Sequence, residues 1–251
     1  MITSESFTIV AEHADFLVIA KAPGVSFHSE AGAGVVVQAE QALGMKLFPV
    51  HRLDKVTSGL LILARSSVAA AEFTELFSHH QIQKYYLALS LDKPKQKQGW
   101  VKGDMAPARR GAQKLLSSMD NPAVSYFISV GFQDVSELPV GCRAFLIKPF
   151  TGKTHQIRVA LKSMGAAIAG DELYQAKAAD RVYLHAYALE FMWHGQQHQF
   201  VLPPEHGAWF RAAALEALLN SQWATPWQMA LPTYQAPKAL LGPTSKRINS
   251  F

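Results

Sequence analysis

Cysteine is almost absent from this 251-residue chain: Cys142 is the only one. A single thiol excludes an intrachain disulfide and a cysteine-based zinc site, and it favours a reducing compartment. No apolar run approaches the length that spans a bilayer. The opening residues, Met1 to Ser6, lack the basic start and apolar stretch of a secretory signal. A cytoplasmic protein without membrane contact is therefore expected. There is no Gly-x-Ser-x-Gly elbow, no His-Glu-x-x-His pattern, no internal repeat and no low-complexity tract. These absences argue against a hydrolase of that serine type and against metal catalysis.

With 49% hydrophobic and 17% charged residues, the composition is globular and long enough for one large domain or two small ones. The formal charge is +5, and a basic balance favours polyanionic partners without proving one. The excess is concentrated. Between Asp92 and Lys114, seven basic residues (Lys93, Lys95, Lys97, Lys102, Arg109, Arg110, Lys114) face Asp92 and Asp104, so this stretch alone carries an excess equal to that of the whole chain. It reads either as a solvated loop or as a phosphate-contacting arm.

The most informative segment is His51-Arg52-Leu53-Asp54-Lys55-Val56-Thr57-Ser58-Gly59, followed by the apolar run 60–64. In extended chain, side chains two apart point the same way, so Arg52 and Asp54 share a face while Leu53 points to the core. The run after the Thr-Ser-Gly turn reads as a buried strand anchoring the loop. Elsewhere, hairpins are expected over 7–20 and over 182–202, with its turn at His194-Gly195. Helices are expected over 34–43, 66–80, 154–164 and 208–219, and strands over 48–53, 82–91, 123–130 and 142–148. Beyond residue 220 four prolines punctuate a segment without periodicity, expected to be an irregular extension over 221–251, partly disordered at its end. Strands and helices without regular alternation predict an α+β fold.

Pro149-Phe150-Thr151-Gly152-Lys153-Thr154 sits between a strand and a helix, as a phosphate-binding loop does. That loop needs a glycine at position 147, which is Ile147, so a nucleotide-hydrolysing site is not supported. Gly152-Lys153-Thr154-His155-Gln156-Ile157-Arg158 places two cations, an imidazole, an amide and a hydroxyl at a helix N-terminus. Such an end attracts anions, although a well-capped surface helix accounts for the same residues. Near Asp54 the sequence supplies one carboxylate, not the pair a glycosidase uses.

Taken together, these segments resemble the RluA-type pseudouridine synthases, which isomerise uridine in structured RNA. The resemblance rests on His51-Arg52-Leu53-Asp54 with Thr57-Ser58-Gly59-Leu60-Leu61, on Lys84-Tyr85-Tyr86-Leu87-Ala88, on 152–158 with Lys153 in place of an arginine, on Gly170-Asp171-Glu172-Leu173-Tyr174 and on Leu184-His185-Ala186. It covers roughly residues 5 to 200. It departs at Ala20-Lys21-Ala22-Pro23-Gly24, at Ala123-Val124-Ser125 and at Ala160, positions that bear on substrate choice more than on chemistry.

The resemblance implies one long, mixed, mostly antiparallel sheet in two halves, with a central cleft and flanking helices, over residues 1–220. It implies a chain without the N-terminal S4 RNA-binding domain of many relatives. Asp54 is implied as the nucleophile, Arg158 as its cationic partner, and Tyr86 as the residue that packs on uracil and is the candidate base. His51, Arg52, Lys153 and His155 are the implied RNA contacts, joined by Lys93, Lys95 and Lys97 if the basic stretch is an arm. No metal, nucleotide or other cofactor is expected. The expected partner is ribosomal or transfer RNA, and the expected state is a monomer. A non-catalytic RNA-binding or ribosome-assembly factor on the same scaffold is the alternative.

Overall fold

Seven consecutive residues, Ser58–Ala64, form a strand buried along its whole length, and the sheet is built outward from it. Alternate side chains of a strand serve opposite faces. Leu61 and Leu63 pack with Val35 and Ala39 on one side, whereas Leu60, Ile62 and Ala64 pack with Ala69 and Phe73 on the other. A strand covered on both faces must be almost continuously apolar, as 60–64 is, and its one polar side chain, Ser58, is hydrogen-bonded. Each large aliphatic side chain so buried stabilises the fold by about 1.5–3 kcal/mol.

The computed structural model describes residues 3–29 and 32–234. In chain order the strands are β1 Thr3–Ser4, β2 Phe7–Glu12, β3 Phe16–Lys21, β4 Phe48–Pro49, β5 Ser58–Ala64, β6 Gln83–Ser90, β7 Gln98–Gly103, β8 Met105–Pro107, β9 Gln113–Leu115, β10 Ala123–Gly131, β11 Arg143–Pro149, β12 Leu184–Trp193 and β13 Gln196–Val201. The α-helices are α1 Val35–Leu43, α2 Ser67–Ser78, α3 Gln156–Ser163 and α4 Ala213–Leu219. Eleven strands form one sheet in the order β1-β2-β3-β5-β12-β6-β11-β10-β7, with β4 beside β5 and β13 beside β12. Strands β8 and β9 make a separate two-stranded hairpin. The expected α+β architecture, with a large, mostly antiparallel sheet, is the observed one.

The two halves of the sheet meet at one seam. There β5 and β12 run parallel through only two residue pairs, Ser58 with His185 and Gly59 with Ala186. Gly59 has φ +113°, and a Cβ at this position would lie 2.3 Å from the Ala186 carbonyl oxygen. Only glycine permits that approach. Side chains lock the same seam. His185 Nε2 lies 2.8 Å from the Leu202 carbonyl, so it carries the proton. Nδ1 therefore accepts from the Ser58 hydroxyl at 2.8 Å, and Ser58 Oγ accepts from Arg181 Nη2 at 2.8 Å. Burial pushes His185 down to about 3, so the ring stays neutral and the tautomer is settled by its partners.

Several expectations need correction. Only Phe48–Pro49 of the strand expected over 48–53 is in the sheet; the rest is loop, held by Leu53 in the core. The basic stretch divides: Lys93, Lys95 and Lys97 sit on an exposed loop, whereas the residues after them fold into β7 and the β8–β9 hairpin. The helix expected over 208–219 is broken, because Ala212 is extended at ψ 131° between a 3-10 turn, Ala208–Arg211, and α4. Residues 221–234 of the extension carry only turns and a 3-10 turn, Pro226–Gln228, and the two tryptophans that suggested packing do pack: Trp223 is buried in the larger cluster, and Trp227, Met229 and Leu231 lie against it. The disorder expected at its end falls outside the described residues.

Candidate active site

Asp54 lies in the loop between β4 and β5, and three contacts hold that loop. Leu53 is buried beside it. His51 Nε2 accepts the backbone N–H of Ile62 at 2.8 Å. The buried Lys21 ammonium donates to the carbonyls of Ala22, Val25 and Lys55 at 2.9, 2.8 and 3.2 Å. Burial, with Arg181 adding to it, lowers Lys21 to about 7. Lys21 falls in the stretch where the sequence departs from the family pattern, and here it ties the turn at Pro23-Gly24 to the residue after Asp54.

The facing wall comes from the other half of the sheet. Loop 149–155 leads into α3 with His155 in the left-handed conformation at φ 57°. Gln156, buried, knits this loop. Its Oε1 accepts from Thr151 Oγ1 and Lys153 N, and its Nε2 donates to Val124 O and Ser125 Oγ. Much of the polarity read at this helix start is thus spent inside the protein. Two residues on, Arg158 donates to Asp171 through Nε and Nη2 and approaches Asp54 Oδ2 with Nη1 at 3.4 Å. Burial works against its charge, but the Asp171 hydrogen bonds and the two carboxylates outweigh it and raise its pKa. The guanidinium also lies 5.0 Å from the centre of the Tyr174 ring.

Tyr174 sets the state of His155. Its oxygen accepts the Gln113 backbone N–H at 3.0 Å, and burial raises its pKa, so it remains a hydroxyl. That hydroxyl meets His155 Nδ1 at 2.9 Å. Burial and then Arg158 lower His155. A neutral ring accepting at Nδ1 carries its proton on Nε2, which faces Asp54 Oδ2 at 4.0 Å. His155 thus presents an N–H toward the carboxylate.

These residues enclose a cavity of about 330 Å³ whose walls include Arg52, Asp54, Lys84, Tyr86, Lys153 and Arg158. Tyr85, the neighbour of Tyr86, is buried in the core as alternation requires. Burial, and then the Asp54 charge, raise Tyr86, so its hydroxyl stays protonated at neutral pH. Asp54 is the only carboxylate among the lining residues, against two arginines and two lysines. Arg52 is exposed. Lys153 donates to Asn121 Oδ1 at 2.7 Å. Lys84 was not singled out from the sequence. It lies two residues before Tyr86 on the same face of β6, and burial lowers it to about 8. Its signal was there in the Lys-x-Tyr spacing, but not its desolvation in the cavity wall.

Other expected contacts fall elsewhere. His51 lines the cavity, yet its Nε2 is occupied by Ile62, and burial with Lys84 lowers it to about 3. It holds the loop, and burial keeps its ring neutral. Lys93 and Lys97 line a different groove, and Lys95 is exposed outside both. Asp171 and Tyr174 sit in a quoted motif without an assigned role, and the structure places both beside Arg158.

The sequence profile of the RNA pseudouridylate synthases matches residues 15–163. The chain belongs to this family. It is accordingly an RNA-modifying isomerase of the pseudouridine synthase class. An uncharacterized RNA pseudouridine synthase of Haemophilus influenzae is 52% identical over 188 residues, covering 73% of this chain and 81% of the relative. The ribosomal large subunit pseudouridine synthase C of Rickettsia bellii is 29% identical over 177 residues, 66% of this chain and 56% of that one. Among solved structures, human RNA pseudouridylate synthase domain containing 1 superposes with a TM-score of 0.71 at 22% identity, covering 90% of this chain and 98% of its own. That likeness supports the fold.

Proposed function

We propose that this synthase converts a uridine of structured ribosomal or transfer RNA to pseudouridine, with Asp54 as the nucleophile. The observation that carries this reading is the placement of Asp54 opposite Arg158 and Tyr86 in one cavity between the sheet halves, as the only carboxylate there. The bond from uracil N1 to C1′ breaks and a bond from C5 to C1′ forms. The proton on C5 leaves and N1 gains one, so the reaction balances without an oxidant or a second substrate. Asp54 either adds at C1′ or starts elimination on the sugar.

Tyr86 packs on the uracil ring and is the base for C5. Because it is a phenol at neutral pH, it can take the C5 proton only by passing its own onward at the same time. Asp54, free again once the new carbon–carbon bond has formed, is the acceptor the cavity offers. The target nucleotide must leave its stack to reach this depth. Arg52, exposed at the mouth, takes the vacated space and contacts phosphate, with Lys153 and Lys84 along the wall. Arg109 and Arg110, at the exposed turn of the β8–β9 hairpin, reach the flanking backbone, since Gln113 of the same hairpin is bonded to Tyr174.

Pseudouridine mapping by carbodiimide labelling and primer extension tests this in cells with and without the gene. A uridine that loses its modification and regains it with the wild type but not with Asp54→Asn supports the proposal and names the substrate. If Asp54→Asn restores the modification, Asp54 is not the nucleophile.

A further inference from the structure

A second large groove lies away from the cleft. It has a volume of about 1120 Å³ and is walled by Lys93, Lys97, Arg143 and residues 129–136 and 138–142. Strand β11 fixes its position: Arg143 at one end lines the groove, and Pro149 at the other lines the cleft. Six steps of strand put the two about 20 Å apart. Strands β6 and β10, on either side of β11, run between the same two places.

The groove is built rather than incidental. Ser129 Oγ donates to the Lys97 carbonyl at 2.7 Å and accepts from Arg143 Nη1 at 3.3 Å, which draws two of the cationic residues together. At Gly131 a Cβ would come within 2.8 Å of Arg143 Nη2, so the missing side chain leaves room for the guanidinium. Lys95 N–H donates to the Met164 carbonyl at 3.0 Å and pins the loop that carries Lys93 and Lys97.

Its charge is only partly compensated. Asp134 is the only carboxylate on the walls. Nearby acids are engaged elsewhere: Asp92 pairs with Lys177 at 3.0 Å, and Glu137 accepts the Ala213 N–H at 2.8 Å. Three converging cations over so large an opening suit an extended polyanion better than a single small ion.

We propose that this distal groove seats the sugar–phosphate backbone of an RNA helix flanking the target uridine, about 20 Å from the cleft. The inference rests on the reading of the cleft as the uridine site. It narrows the substrate class to RNA whose target lies next to a helix long enough to reach the groove, and it separates Lys93 and Lys97 from the residues that handle the flipped nucleotide.

The test uses two fluorescein-labelled hairpin RNAs with the same uridine-containing loop, one with a stem that spans the groove distance and one with a stem too short to do so. Fluorescence anisotropy gives their affinities for wild type and for the double variant Lys93→Glu/Lys97→Glu. Both side chains are exposed, and a thermal melt confirms folding. The expected result is a loss of about tenfold for the long stem with a shallower salt slope, and a change within about twofold for the short one. Equal losses for both hairpins overturn the proposal, because the lysines then act only by general attraction. Unchanged affinity for both also overturns it, and leaves the groove to an acidic protein surface. Failure of the uridine-site reading is separately visible as a wild type that forms no pseudouridine.

Discussion

Asp171 holds Arg158 by two parallel hydrogen bonds, to Nε at 2.7 Å and to Nη2 at 2.8 Å. Both side chains are buried. Only Nη1 is left to face Asp54, so the guanidinium is oriented before substrate arrives. Arg158→Lys should lower turnover by about a hundredfold, since one ammonium cannot make the fork and reach Asp54 together. Asp171→Asn should leave a buried cation without its counter-charge, costing about 3–5 kcal/mol of stability and lowering turnover. Urea unfolding and single-turnover rates check both. Asp171→Asn with full stability and full turnover would show that Asp171 does not position Arg158.

Much of this was legible in the chain. The apolar run 60–64 is a strand, alternation put Leu53 inward and Asp54 outward, and the Gly152 to Arg158 segment leads into a helix. What stayed hidden depends on distant pieces of chain meeting. Nothing local tells that Asp171 will dock on α3 beside Arg158, or that Ser58 will meet His185 across the seam. Lys84 showed its spacing to Tyr86 but not its desolvation in the cavity wall. The separation of Lys93 and Lys97 from Asp54 was within reach. Nine residues of extended chain from Lys84 to Lys93 cover nearly 30 Å, more than a single cleft accommodates.

The seam gives a prediction about stability. Gly59→Ala places a Cβ against the Ala186 carbonyl in a backbone conformation that L residues avoid. Strain and forced separation together should cost about 2–5 kcal/mol. The sheet halves would part slightly, and Asp54, five residues before, would shift from Arg158. Chemical unfolding reads the stability loss. An alanine variant as stable as wild type would mean that the close approach does not constrain the seam.

Lys84 gives a pH dependence in substrate binding. Its folded pKa is lowered to about 8, so its charge is present below pH 8 and is lost as pH rises through that value. If it contacts phosphate, KM for RNA should rise above pH 8 in the wild type. Lys84→Arg keeps its charge throughout and should flatten the profile. Lys84→Met should show the high KM already at neutral pH, with no step near 8. Initial rates across the range check this. A step at the same pH in all three proteins would assign it to another group.

His51 and His185 make the fold sensitive to acid. Each has a folded pKa lowered from 6.5 to about 3 by burial. In the unfolded chain both return to the ordinary value. Between pH 3 and 6.5 the unfolded state therefore binds more protons, and stability rises with pH across that window and levels off above it. Each histidine should contribute a slope of about 1.4 kcal/mol per pH unit. His185→Gln removes one contribution. The variant should be less stable than wild type at pH 7, because the hydrogen bonds to Ser58 and Leu202 are disturbed, yet it should lose stability more slowly between pH 6 and 4.5. Urea unfolding at several pH values measures both effects at once. Parallel curves for the two proteins would mean that His185 is already protonated in the fold, and the seam would then need a different account of its hydrogen bonds.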